Sequence, residues 1–141
     1  MKKRYKVAFI CSSLIIIGSY GLVHADNIVN GTSWQSADYV NVPKHGGTKY
    51  NTWRGSKKVT TSRKGSFKAS YGAWLDPYAR LITKSKADRS YAEKLSNSST
   101  IHPELYQTAR KNQVFYTKVS TNIMDPGYIE VSLDFSSDYI D

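Results

Sequence analysis

Ser66-Phe67-Lys68-Ala69-Ser70-Tyr71-Gly72-Ala73-Trp74-Leu75 is the stretch whose reading decides the fold. Phe67, Ala69, Tyr71, Ala73 and Leu75 alternate with Ser66, Lys68, Ser70 and Gly72. Successive side chains of a strand point to opposite faces, so one face here is apolar and the other polar. That is the pattern of a half-buried β-strand. Asp76-Pro77 breaks the run, and Arg80-Leu81-Ile82-Thr83-Lys84 offers a returning strand. The segment therefore reads as a central hairpin against which other strands dock.

Working outward, Tyr128 to Phe135 has the cleanest alternation, with Ile129, Val131, Leu133 and Phe135 inward and Glu130, Ser132 and Asp134 outward. Val114 to Ile123 reads as a strand with Phe115, Thr117, Val119, Thr121 and Ile123 on one face. Asp125-Pro126-Gly127 between them is a strong turn, because proline presets one dihedral and glycine accepts positive φ. Upstream, Tyr39 to Val42 and Thr48 to Arg54 read as strands separated by Pro43 and the His45-Gly46-Gly47 turn, and Val59 to Thr61 extends the pattern. Glu104 to Ala109 is a further candidate strand, turning at Arg110 to Gln113. Ser90-Tyr91-Ala92-Glu93 fits a capping box, with Tyr91 and Leu95 on one helical face.

The expected fold is all-β: a small antiparallel β-sandwich or barrel with at most one short helix near residues 90–96. A parallel sheet would need crossover helices that the chain does not supply. A cleaved signal peptide is expected to precede the fold. Lys2, Lys3, Arg4 and Lys6 lead an apolar run from Val7 to Ile17, and Val23-His24-Ala25 is a small-residue cleavage site. The run is too short and too interrupted for a membrane anchor. The expected organisation is residues 1–25 as signal peptide, 26–38 as a flexible arm and 39–141 as a single β domain. Localisation is expected to be secreted and extracellular. Cys11, the single cysteine, would leave with the leader, so disulfides would not stabilise the mature chain.

The formal charge of the full chain is +9. Lys44 to Lys94 concentrates it, with thirteen basic residues against Asp76, Asp88 and Glu93. Asp125 to Asp141 carries five acids and no base. Within the basic segment, Trp53, Arg54, Lys57, Lys58, Arg63, Lys64, Lys68 and Trp74 combine cations with π-faces and are the candidate binding residues. Aromatics can stack on sugars or bases, and lysine and arginine attract phosphates. The competing reading is that Trp53 and Trp74 fill the core and the cations merely coat the outside.

Catalytic chemistry has weaker support. His45 and His102 are the histidines left after cleavage, and the chain has no Gly-x-Ser-x-Gly elbow. His102, Glu104 and Arg110 would serve a hydrolase, held as a reserve reading. Asp76 and Glu104 could pair as carboxylates only if the fold brought them together. Zinc would need clustered His and Cys. Asp125, Asp134, Asp138 and Asp141 could offer oxygen to calcium but match no EF-hand loop. No cofactor or metal is expected. The alternative for the acids is to answer the basic middle segment.

Thr48 to Arg54, Ser66 to Leu75, Val114 to Asn122 and the ending Ser136-Ser137-Asp138 resemble a family of uncharacterised small secreted proteins of Gram-positive bacteria. That family shares a Tyr-Arg strand, a Trp-Leu strand and an acidic tail; this chain departs from it with Phe135 before the tail and a longer segment from Lys84 to Glu104. The strands are also similar to those of bacteriocins related to lactococcin 972. The resemblance implies a secreted β protein and transfers no catalytic residue. The expected function is non-catalytic binding of anionic envelope or matrix polymers, or of the bacterial membrane surface, with no specific nucleic acid. The alternative is a bacteriocin-like antimicrobial protein, which clearing of related-strain lawns would reveal.

Overall fold

A computed structural model describes residues 26–125 and 127–141. The signal-peptide reading, with Cys11, lies outside the described residues, as does Pro126 of the expected turn. Eight strands form: β1 (Asn27–Asn30), β2 (Gln35–Val42), β3 (Thr48–Lys57), β4 (Ser66–Tyr71), β5 (Tyr78–Ile82), β6 (Glu93–Lys94), β7 (Val114–Ser120) and β8 (Ile129–Ser136). They make a five-stranded sheet ordered β1-β3-β7-β5-β6 and a three-stranded sheet ordered β2-β8-β4. Every pairing is antiparallel except β1 with β3. The sheets stay separate, so the barrel alternative does not hold.

The two sheets share one core. Ala37, Tyr39 and Val42 of β2, Phe67 of β4 and the inward side chains of β8 meet Ala79 and Leu81 of β5 and Phe115 and Val119 of β7. β8 is central to its sheet, and its alternate residues Ile129, Val131, Leu133 and Phe135 are buried as the pattern requires. The Tyr39 hydroxyl meets the Thr117 hydroxyl at 2.5 Å, a polar pair closed inside the core. Burial pushes the Tyr39 phenol well above its ordinary pKa, with the Thr117 hydroxyl acting against that shift.

Several expectations are corrected. Residues 90–96 form no helix. The Ser90 hydroxyl instead accepts the Leu81 amide at 2.9 Å, Glu93 and Lys94 pair with Ala79 and Tyr78, and Leu95 enters the core. Helix propensity over so short a span yields to these tertiary partners. The central hairpin also does not form: β4 pairs with β8, and β5 with β7 and β6. The connection between β4 and β5 crosses from one sheet to the other, so Ala73 is exposed rather than inward. Glu104 and Leu105 make isolated bridges to Lys64 and Ser90 in place of a strand. Residues 59–61 lie outside the strands.

Residues 26–38, expected as a loose arm, carry β1 and the start of β2. Gln35, 5% exposed, ties them down, its Nε2 donating to Asn27 O at 2.9 Å and Gly55 O at 3.2 Å. Gln35→Ala orphans the buried Gly55 carbonyl and releases the partly buried Asn27 carbonyl, and is expected to cost about 1–3 kcal/mol. Amide hydrogen exchange over Asn27–Asn30 should accelerate before the rest of the chain; uniform acceleration would assign Gln35 to the global core instead.

Candidate functional site

The alternation that buries Phe115, Thr117 and Val119 turns Tyr116 and Lys118 of β7 to the outer face of the five-stranded sheet. Tyr78 and Arg80 of β5 and Tyr50 and Lys57 of β3 share that side by register. Gly55 leaves room for this arrangement: a Cβ there would come within 2.7 Å of Val114 Cγ1 and 3.1 Å of the Tyr116 ring. Cations sit over the rings. Lys86 Nζ lies 4.8 Å and Lys118 Nζ 6.0 Å from the Tyr50 centroid, and Lys84 Nζ lies 5.9 Å from that of Tyr116.

Two carboxylates partly balance the face. Asp88 takes Arg80 Nη1 at 2.6 Å and Lys118 Nζ at 2.7 Å. Asp26 pairs with Lys84 and accepts the Tyr116 hydroxyl at 2.7 Å. The hydrogen bond from Lys84 holds the Asp26 carboxyl below its ordinary pKa. Burial, with the neighbouring Asp26, pushes the Tyr116 phenol up to about 12. Lys57 and Lys86 are exposed, with no carboxylate at ion-pair distance among the described residues.

At the seam between the sheets, β3 is irregular between Asn51 and Ser56. The Asn51 side chain braces the bulge, its Nδ2 donating to Arg54 O and its Oδ1 accepting the Arg54 amide. This turns Trp53 outward, 50% exposed, with the Arg54 guanidinium 4.5 Å over its ring. Arg54 Nη1 also donates to Ser36 O at 3.2 Å, across to β2. An open groove of about 270 Å³ runs beside them, lined by Ala37, Asp38, Tyr39, Val40, Lys49, Tyr50, Asn51 and Trp53. The Lys49 ammonium reaches the Val40 carbonyl across it.

The sequence-predicted binding residues divide. Trp53, Arg54 and Lys57 lie together on β3. Lys58 is 1% exposed, its Nζ bonded to Ser137 O at 3.1 Å and Asp138 Oδ1 at 2.8 Å, so it cannot reach a ligand. A buried ammonium needs a carboxylate, and the C-terminal segment supplies one. Lys68 lies on the outer face of the three-stranded sheet, opposite Asp134 and in the company of Asp38 and Glu130. Arg63 and Lys64 are exposed near Glu104 and Leu105, with Arg63 Nη2 donating to Leu105 O at 3.2 Å. Trp74 stands on the β4–β5 connection, 99% exposed. Neither Trp53 nor Trp74 fills the core.

The site residues missed in sequence are Lys49, Lys86 and Lys118. For Lys118 the signal existed, since it alternates with buried Thr117 and Val119. Lys86 sits in a turn, at φ 70°, that no pattern marks.

The catalytic candidates are not assembled. His102 Nδ1 lies 3.2 Å from Gly65 O and 3.1 Å from Ser66 Oγ. Ser66 is itself buried and bonded to Asp138 O, at 3.0 Å, and to the Ile140 amide, at 2.8 Å. A general base would need a free lone pair facing a reachable nucleophile. Asp76 pairs with Lys94 at 2.6 Å, away from Glu104. Among the described residues no three His, Cys, Asp or Glu side chains gather as metal ligands. No family model, curated protein or solved structure matches this chain.

Proposed function

We propose that this chain is an exported, non-catalytic β-sandwich protein that binds anionic envelope or matrix polymers along the β3 seam. The observation that carries the reading is the pairing of half-exposed rings with cations beside an open groove: Trp53 under Arg54, and Tyr50 under Lys86. Rings of this kind stack on sugar faces, while Lys57 and Lys86, without an ion-pair partner among the described residues, meet phosphates. The opposite outer face, with Asp38, Glu130 and Asp134 against Lys68, repels such polymers and orients the encounter.

Retention of the full chain on purified Gram-positive cell walls is expected to fall steeply as salt rises. Trp53→Ala or Lys86→Glu is expected to weaken it about tenfold each, because each removes one stacking or phosphate contact. Lys68→Glu, on the acidic sheet, should leave it near wild type. Retention that is equal at low and high salt, or equally weakened by all three variants, overturns the assignment.

A further inference from the structure

The end of the molecule where three connections emerge carries an apolar cluster that the β3 groove does not use. Val42 lies beside Ile129, Tyr71 beside Val131, and both Thr48 and Tyr78 beside Ser120. The β2–β3, β4–β5 and β7–β8 connections therefore leave the sheets side by side. Trp74 is 99% exposed, Met124 82%, Ile123 72% and Tyr128 69%. Isolated exposed apolar residues are ordinary, but four on adjoining loops make a patch.

These loops are braced. Thr121 donates its amide to Gly47 O at 3.0 Å and its hydroxyl to Pro43 O at 2.7 Å, and accepts the Gly46 amide at 3.0 Å. The buried Asp125 carboxylate accepts the Asn122 amide at 2.6 Å and the Asp76 amide at 3.4 Å. His45 Nδ1 meets Ile123 O at 3.2 Å. Trp74 itself sits at φ 73°, a left-handed conformation that a bulky side chain rarely adopts. Backbone strain is thus held at a position whose side chain contributes no burial to the fold.

We propose that this tip inserts shallowly into the headgroup region of an anionic lipid bilayer. Tryptophan and tyrosine favour that interface, and Ile123 and Met124 reach the acyl boundary beside them. Lys44, exposed on the adjoining loop, supplies charge complementary to the headgroups. Of the acids near these loops, Asp76 is paired with Lys94 and Asp125 with loop amides, while Glu130, two residues from Tyr128, is exposed on the outer face of β8. The assignment is independent of the groove: it uses other residues, and its main contact is apolar, with Lys44 adding attraction to the anionic headgroups.

Residues 1–25 contain their own apolar run, so the readout is taken at Trp74 rather than from sedimentation. The full chain carrying Trp34→Phe and Trp53→Phe retains one tryptophan. With phosphatidylcholine vesicles containing phosphatidylglycerol, its emission is expected to shift to the blue and to be quenched by lipids brominated near the headgroup, at low and high salt alike. Ile123→Asp with Met124→Asp is expected to weaken this quenching at least about tenfold, because two side chains lose their apolar environment. Both positions are exposed, so far-ultraviolet dichroism and melting should not change. Trp74 emission that stays unshifted while the protein is vesicle-bound overturns the proposal. A blue shift that grows with protein concentration without lipid also overturns it, assigning the tip to a second copy of the chain. Failure of the groove would appear separately, as wall retention insensitive to Trp53 and Lys86.

Discussion

Replacing Asp138 by alanine is expected to lower the unfolding free energy by about 3–5 kcal/mol, the cost of stranding one partner of a buried ion pair. Lys58 and Asp138 have side chains 2% and 1% exposed and lie 2.8 Å apart. The same carboxylate accepts the Val59 amide at 2.7 Å and the Thr60 hydroxyl at 2.5 Å. Gly31 closes over it: a Cβ there would stand 2.2 Å from Asp138 Oδ2 and 2.7 Å from Ser137 Oγ. A domain of this size has roughly 5–15 kcal/mol of stability, so losing the pair removes much of it. Urea unfolding would measure the loss. Because two desolvated charges contribute little net stability, Lys58→Met combined with Asp138→Asn is expected to recover most of it. A double variant as unstable as Asp138→Ala would show that the loop contacts, not the charge pair, hold this end.

The same carboxylate sets the acid limit. Burial opposes its ionisation, but Lys58, the Thr60 hydroxyl and the Val59 amide outweigh burial and hold its pKa below the ordinary 3.8. A group whose folded pKa is depressed stabilises the protein fully above its unfolded pKa, and that increment fades as pH falls through the folded value. The stability gap between wild type and Asp138→Asn should therefore be flat at neutral pH and close below about pH 4. A gap that instead closes as pH rises would have the wrong sign for this carboxylate.

What could be read from the sequence follows from where each signal originates. β8 was legible because it has one buried and one largely solvated face, and period two records that directly. β7 was legible to Ser120, but Tyr116 on its outer side is buried, and Ile123, expected inward, lies beyond the strand and is 72% exposed. β4 was legible only to Tyr71; beyond it Ala73 and Leu75 continue the alternation while the backbone turns at Trp74. Strand partners were not legible. Whether β4 meets β5 or β8 depends on contacts some sixty residues away, and adjacency favoured the wrong hairpin. Ser90 and Glu93 fit a helix start, but the hydroxyl that would cap a helix serves equally well to receive the Leu81 amide. Trp53 and Arg54 stood out because a ring beside a cation on a strand is a local feature, whereas the groove between β2 and β3 beside them depends on packing that no local pattern records. Lys58 misled because lysine is ordinarily solvated. Its parity with buried Ser56 was the available warning, and Asp138 lies too far along the chain to be assigned as its partner.

Leu133→Asp is expected to abolish cooperative folding, while Ser132→Lys, one residue earlier, should melt within a few degrees of wild type. Leu133 is 1% exposed, between Ala37 on β2 and Ala69 on β4, on the side of β8 that faces the other sheet. An aspartate there removes apolar burial and places an unpaired carboxylate in the core, a cost of about 5 kcal/mol or more that rivals the whole stability. Ser132 points the other way, exposed, opposite Asp38 and Ser70. A lysine there meets the Asp38 carboxylate in solvent, a contact of at most about 1 kcal/mol. Circular dichroism melts of the two proteins compare neighbours whose only relevant difference is the face they occupy. Because β8 pairs with both β2 and β4, a charge on its inner face disturbs every strand of the smaller sheet at once. Cooperative melting of Leu133→Asp near the wild-type temperature would mean that the inner face of β8 is not the interior of the protein, and the pairing of the two sheets would have to be redrawn.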